Sequence, residues 1–176
     1  VTMPIEALCF AINAHKDQVR KNGSGCYISH PIRCVKILEE AGVVDPEVKA
    51  AAVLHDVPED TPFKVPDVRA RFGDRVARIV EQVTDDKELP PGVRKMLQVQ
   101  HAGESDVEAQ YVKTADTIDN LEDMCLCPPE GWNFERIQSY FMWKKLVMDR
   151  IVFAEDDQIA KNLKARFARA LEGTIT

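Results

Sequence analysis

Residues 45–61 read DPEVKAAAVLHDVPEDT, and the first ten of them decide the fold. Asp45-Pro46 is a helix start: an oxygen-bearing cap precedes the residue whose fixed φ suits the first helical position. Val48, Ala51, Ala52 and Leu54 then recur at three- and four-residue steps, which is helical periodicity. Pro58 has no amide hydrogen and disfavours helical geometry at Val57. The helix therefore ends there, delivers His55 and Asp56 at its end, and leaves Glu59-Asp60-Thr61-Pro62 in a tight connection.

The same periodicity extends in both directions, and no run alternates apolar with polar residues, so the chain reads as all-α. A first helix is predicted over residues 4 to about 20, with Ile5, Leu8, Cys9 and Ile12 on one face, broken by Asn22-Gly23-Ser24-Gly25. A second opens at Pro31, turns Ile32, Val35 and Leu38 inward and stops at Gly42. Further helices are signalled over 66–72, around Val76, Ile79, Val80 and Val83, and over 93–100. Ser105 and Glu108 form a capping-box pair ahead of a long helix carrying Val112, Ala115, Asp116, Asn120 and Leu121. Asp116 and Asn120, four apart, share a face. Asn133 caps a helix through Arg136, Tyr140, Trp143 and Val147, and Asp156 caps a last one ending before Gly173.

The chain has 176 residues, of which 45% are hydrophobic, enough for one compact globular domain. Its 23 Lys+Arg against 29 Asp+Glu give a net charge of −6 with no basic block, which removes the counterion-release term behind nucleic-acid binding. No stretch approaches the ~18 apolar residues of a membrane span, and the first residues lack a signal-peptide pattern. The expectation is a soluble cytoplasmic protein with no nucleic-acid or membrane partner. Five cysteines are an odd number, and Cys125 and Cys127, one residue apart, fit neither a disulfide ladder nor a CxxC knuckle. They read as reduced thiols, with Cys9 and Cys34 as small core fillers.

His55-Asp56 carries little information as a bare dipeptide, but its place at the end of an Ala-rich helix singles it out. Two adjacent residues at a helix end reach one ion only if other elements complete the shell, and the sequence offers His30 before a helix and Asp116 within one. Two imidazoles and two carboxylates suit a divalent transition ion such as Mn²⁺ or Fe²⁺, with positions open to water and substrate, better than a closed thiolate zinc site. Spacing alone does not pair the four.

Tyr27-Ile28-Ser29-His30-Pro31, the run AAVLHDVPEDT over 51–61 and the AD…NL of 115–121 resemble the HD-superfamily phosphohydrolases. Phe72-Gly73, Val83-Thr84-Asp85-Asp86-Lys87, Arg94-Lys95-Met96-Leu97-Gln98 and Pro129-Glu130-Gly131-Trp132 narrow this to the hydrolase part of RelA/SpoT proteins, over about 7–147. The chain is too short for the synthetase and regulatory domains of the long members. It is similar to the stand-alone small alarmone hydrolases, the metazoan SpoT homologues among them.

The resemblance implies a single HD domain over 1–176, with its motifs in 7–147 and a C-terminal helix at about 156–172. It implies one Mn²⁺ per chain and removal of the 3′-diphosphate of guanosine tetraphosphate as pyrophosphate. His30, His55, Asp56 and Asp116 match the family's metal ligands, and Glu59 and Asp60 its catalytic acidic pair. A carboxylate beside the ion holds a water in line and accepts its proton. Arg20, Lys21, Asn120, Arg136 and Tyr140 match its nucleotide contacts. Self-association stays open, and the sequence names no acid for the leaving oxygen.

The chain departs from the family pattern at Thr117, where Lys is usual, and at Asp119, where Tyr or Arg is usual. It has Pro91 where small hydrolases carry Lys, and Cys26 in place of Pro. If the first three positions face the substrate, positive charge is lost. That keeps open an adenosine alarmone or another 3′-phosphorylated nucleotide, and, in a different class, a catalytically silent nucleotide-sensing module. His15 and His101 are expected at the surface or core edge, Asp85-Asp86-Lys87 as a solvated helix end, and Trp132, Phe134, Phe141 and Trp143 as packing aromatics.

Overall fold

The computed structural model describes residues 3–23 and 25–173, so Ser24 of the expected turn lies outside the described residues. Among them the chain forms helices and one isolated antiparallel bridge, Val19 with Cys26, as the all-α reading expects. The helices are α1 (Met3–Ala14), α2 (Ser29–Ala41), α3 (Pro46–Leu54), α4 (Val57–Asp60), α5 (Val65–Phe72), α6 (Asp74–Val83), α7 (Pro91–His101), α8 (Val107–Leu126), α9 (Phe134–Met148) and α10 (Gln158–Glu172).

Helix α3 is the axis of the fold. Its cap forms as predicted, Asp45 accepting from the Glu47 amide at 2.9 Å. Val48, Ala50, Ala51, Ala52, Val53 and Leu54 are all buried, and a helix apolar on every side belongs in the interior. It packs against α1, α2, α6 and α8, and its alanines let those neighbours approach closely. Gly42 ends α2 in the left-handed region at φ 106°, where a side chain is strained, and its amide reaches back to the Glu39 carbonyl.

Helix α1 departs from its expected face and length. Ala7, Phe10 and Ala11 are its buried stripe, whereas Ile5 is 52% exposed and Cys9 and Ile12 face solvent. The helix stops at Ala14, where that stripe ends. The backbone of 18–20 then pairs with that of 25–27: the Arg20 amide donates to the Gly25 carbonyl and the Tyr27 amide to that of Gln18, both at 3.0 Å. Cys34 is buried as expected, and all five cysteines are free. Ile32 is exposed, because Cys34, Ile37, Leu38 and Ala41 form the inner face of α2.

The Ser105/Glu108 capping box does not form. Asp106 stands at the cap position, Ser105 Oγ turns back to the Ala102 carbonyl at 3.4 Å, and Glu108 is drawn into an ion-pair cluster with Arg75. At α10 the cap is Asp157 rather than Asp156, accepting from the Ala160 amide at 2.9 Å. No helix among the described residues is long and apolar enough to cross a membrane.

Gly103 lies in the turn between α7 and α8, and a Cβ there would meet the Arg150 carbonyl oxygen at 2.5 Å. Backbone gives way less readily than a side-chain tip, so Gly103→Ala is expected to destabilise the fold by about 1–3 kcal/mol, the usual range for overpacking. Urea denaturation of the two proteins side by side checks this; an unchanged midpoint contradicts it.

Candidate metal and substrate site

Packing of α2 and α3 against α8 brings four side chains from three separated stretches to one point. His30 opens α2, His55 and Asp56 follow the last turn of α3, and Asp116 lies midway along α8. His30 Nε2 is 3.3 Å from His55 Nε2, 3.5 Å from Asp56 Oδ2 and 3.3 Å from Asp116 Oδ1. His55 Nε2 is 3.2 Å from Asp56 Oδ2 and 3.8 Å from Asp116 Oδ1.

The outer ring nitrogens decide what the inner ones offer. His55 Nδ1 donates to the Ala52 carbonyl at 2.7 Å, and a carbonyl only accepts. His30 Nδ1 lies 2.6 Å from Asp119 Oδ2, a carboxylate that likewise accepts. A neutral imidazole at either position therefore turns a bare Nε2 lone pair inward, toward the other and toward two carboxylate oxygens. Four acceptors at one point, three of them buried and Asp56 partly so, require positive charge. An ion with bonds of about 2.0–2.2 Å separates neighbouring ligands by about 2.8–3.6 Å, and the measured spacings fall in or near that range.

Protons are the alternative source of that charge. Burial works against the charged form of His30, but Cys34, Asp116 and Asp119 together hold its pKa well above the ordinary value. Burial opposes His55 in the same way, and Asp56 and Asp116 outweigh it. Conversely, burial would raise the Asp56 carboxyl, yet His55 and His30 hold it below the usual carboxylate range. For Asp116 burial is outweighed by Lys144, the two histidines and Lys113. Cys34 Sγ is 3.8 and 3.9 Å from the two His30 ring nitrogens and lies within reach of an ion shared with His30 and His55.

The acidic pair sits alongside on the short helix α4. Tyr27 Oη donates to Asp56 Oδ2 at 2.5 Å and lies 3.3 Å from Asp60 Oδ2, tying the pair to the cluster. Burial and nearby Asp56 hold the Tyr27 hydroxyl in its protonated form. Glu59 Oε1 accepts from the Asp85 amide at 2.7 Å, and Lys87 Nζ is 3.1 Å from Glu59 and 3.0 Å from Asp60. Burial, with Asp56 and Asp85 nearby, pushes the Glu59 carboxyl up against the pull of Lys87. The stretch Asp85-Asp86-Lys87 is thus more than a solvated helix end: Thr84 is extended after α6 and turns the chain back onto α4.

Of the expected nucleotide contacts, Asn120 joins the cluster directly and Arg20 through Asn120. Asn120 Nδ2 donates to Asp116 Oδ1 at 2.5 Å, and Arg20 Nη2 to Asn120 Oδ1 at 3.1 Å and Asp123 at 2.8 Å, with its guanidinium 5.9 Å from the Tyr27 ring. Tyr140 is half-buried in an edge-to-face group with Trp132 and Trp143. Arg136 lies on the outer side of that group, 4.2 Å over Trp132, and Lys21 is exposed in the turn before Gly23. Phe134, expected to pack, is exposed.

Two departures from the family pattern do not face a substrate. Asp119 is 1% exposed and holds His30, while Arg33 donates to both its oxygens at 2.5 and 3.0 Å. Thr117 is fully buried. The argument from lost charge therefore has no support at these two positions. His15, expected at the surface or core edge, is buried and stacked 4.8 Å from Tyr27. Residue-type reasoning also missed Lys144, buried 3.6 Å from Asp116 Oδ2; its signal was a lysine in the apolar stripe of Phe141, Val147 and Met148.

The HD domain family matches residues 7–137. Human guanosine-3′,5′-bis(diphosphate) 3′-pyrophosphohydrolase MESH1 is 47% identical over 146 residues, 82% of this chain and 82% of that protein. The Drosophila melanogaster protein of the same name is 42% identical over 149 residues, 84% and 83% of the two chains. A solved structure of a metazoan orthologue of SpoT that hydrolyses ppGpp matches at a TM-score of 0.90 and 37% identity, over 98% of this chain and 95% of that one. The chain belongs to the HD-domain family, in the branch that holds the MESH1 proteins. Membership of the family implies a divalent metal ion, and the His/Asp cluster offers a possible site for one.

Proposed function

We propose that this protein hydrolyses the 3′-diphosphate of guanosine 3′,5′-bis(diphosphate), releasing pyrophosphate, with one manganese ion held by His30, His55, Asp56 and Asp116. The observation that carries the reading is the meeting of four acceptors, three of them buried, beside a second pair of carboxylates. Its support from outside the chain is the MESH1 relatives, whose names state that activity.

When bound, the ion supplies Lewis acidity, neutralising charge on the phosphate and making a water easier to deprotonate. Glu59, with its carboxyl pushed up by burial and neighbouring acids, is the base that takes a proton from the attacking water. Asp60, held by Tyr27 and Lys87, orients that water. The new bond joins the water oxygen to the phosphorus on the ribose 3′-oxygen, the bond from phosphorus to that oxygen breaks, and the 3′-oxygen leaves with a proton drawn from solvent, to which Glu59 gives up the one it took. Arg20, Asn120 and Tyr140 line the nucleotide side, where the Arg20 guanidinium is already oriented by Asp123. Lys21 and Arg136 reach the same ligand from the rim.

Asp119 takes a positioning role, because a carboxylate on the outer nitrogen of a ligating histidine fixes its tautomer and direction. Asp119→Ala is expected to weaken manganese binding by about 10–100-fold, the usual cost of losing such a partner. Chelator competition measures this, and unchanged affinity in a folded variant contradicts it.

The reading itself is tested by incubating purified protein with guanosine and adenosine tetraphosphates, with Mn²⁺ and after chelation, and identifying products by mass. GDP and pyrophosphate, formed only with the ion, are expected. Nucleotide binding without products at full metal occupancy would overturn the proposal.

A further inference from the structure

Helix α9 presents Phe141, Lys144, Val147 and Met148 inward, so a lysine occupies a place in an otherwise apolar stripe. Lys144 is 4% exposed. A buried ammonium ordinarily satisfies its three N–H groups with carbonyls or carboxylates. This one makes no hydrogen bond to the described residues. Its neighbours are Asp116 Oδ2 at 3.6 Å and the ring faces of Trp143 at 4.8 Å and Tyr140 at 5.9 Å.

Asp116 does not belong to Lys144 alone. Lys113 Nζ is 4.0 Å from the same Oδ2, and the other oxygen, Oδ1, faces His30 and accepts from Asn120. One carboxylate is thus shared by two ammoniums and the cluster. Both lysines line a cleft of about 100 Å³ whose walls include His55, Asp56, Glu59 and Asp85. The acids on that wall already have partners: Glu59 has Lys87 and the Asp85 amide, and Asp85 has Gln98. Positive charge without a full complement of acceptors therefore faces the cleft right beside the four-donor cluster.

We propose that Lys144, assisted by Lys113, binds the diphosphate group of the substrate, its N–H groups donating to non-bridging phosphate oxygens. This rests on the hydrolase reading for the identity of the ligand, though the placement of the two lysines among the carboxylates of the cleft does not depend on it. Lys144 is thereby a determinant of specificity for a substrate with two linked phosphates at the reacting end, since a single phosphate reaches fewer of these donors.

Lys144→Met keeps the length and apolar stem and removes the charge; Lys144→Arg keeps the charge. Three quantities are measured on each full-length protein: KM and kcat for guanosine tetraphosphate, the inhibition constant of pyrophosphate, and the Mn²⁺ dissociation constant from electron paramagnetic resonance. Lys144→Met is expected to raise KM and the pyrophosphate constant by about tenfold, the cost of losing one charge-assisted hydrogen bond, with a smaller change in kcat. Manganese binding is expected to hold or tighten, because removing a positive charge near Asp116 favours a cation there. Lys144→Arg recovers most of the loss.

A merely structural lysine predicts another pattern, in which substrate and manganese binding weaken together and Arg does not rescue; that pattern overturns the proposal. So does a folded Lys144→Met protein with unchanged KM and pyrophosphate binding. If Lys144→Met does not fold, Lys113→Gln, at a more accessible position, must show the same split in smaller measure. Wild-type protein that turns over no nucleotide but binds pyrophosphate through Lys144 would sink the hydrolase reading and leave this one standing.

Discussion

Asp56→Ala is expected to yield a folded protein that retains no manganese on gel filtration and hydrolyses guanosine tetraphosphate about 10³-fold more slowly. The size follows from the several kcal/mol of charge stabilisation that a bound ion contributes, at about 1.4 kcal/mol per tenfold in rate. Asp56 is the choice because three partners converge on one of its oxygens: His55 at 3.2 Å, His30 at 3.5 Å and Tyr27 Oη at 2.5 Å. Removing it withdraws a quarter of the donor set and leaves Tyr27 with only Asp60. The fold tolerates this, since Asp56 sits between the ends of α3 and α4 and the apolar contacts of α3 are untouched. Metal content by atomic emission and turnover by pyrophosphate release are the measurements. A variant that keeps both would remove the basis for assigning the ligands.

Glu59→Gln is expected to separate metal binding from chemistry. Turnover falls by about 10²–10⁴, the usual contribution of a general base, while manganese affinity stays within a few-fold, because Glu59 is not among the four donors. The variant is also expected to be more stable than the parent at neutral pH, by about 2–4 °C for each kcal/mol relieved in a chain of this size. Burial raises the Glu59 carboxyl above its unfolded value, so the native state holds the ionised form at a cost. That cost is full above the raised native pKa and disappears as the pH falls toward the unfolded value, where the parent's carboxyl is itself protonated. The gap in thermal midpoint between the two proteins should therefore close on acidification. A gap that widens instead, or a Gln variant of full activity, contradicts the role given to Glu59.

The parts of this site that could be read from residues alone are those whose local signals are strong. A capped, Ala-rich apolar stretch ending in His55-Asp56 before Pro58 fixes a helix end, and helix periodicity places Asp116 and Asn120 on one face. Residue types narrowed the ligand candidates because imidazoles are few in this chain. Contacts between distant elements left weaker traces. Asp119 looked like a charge facing substrate because nothing in the sequence shows that α2 lays Arg33 and His30 against it. Lys87 looked solvated because the turn at Thr84, which returns it to Glu59 and Asp60, is a matter of backbone direction rather than residue type.

Helix α1 shows the same limit from the other side. Ile5 and Ile12 are more hydrophobic than Ala7 and Ala11, yet it is the two alanines, with Phe10, that are buried in the helix that packs on the Ala50-Ala51-Ala52 run of α3, and the two isoleucines are left exposed. Close helix packing is decided by the pair of surfaces, and one surface alone misleads.

Along α8, Asp116, Asp119, Asn120 and Asp123 follow one another at helical spacing, committed in turn to the cluster, to His30 with Arg33, to Arg20, and to Arg20 with Asn22. One extra or missing codon inside this segment would swing everything beyond it by about 100° around the axis, detaching the loop that carries Arg20 or the outer support of His30 in one event. The turn joining α6 to α7 is tied to the acidic pair at 85 and 87. Length variation among descendants of this protein should thus collect between α6 and α7 and spare the middle of α8 altogether.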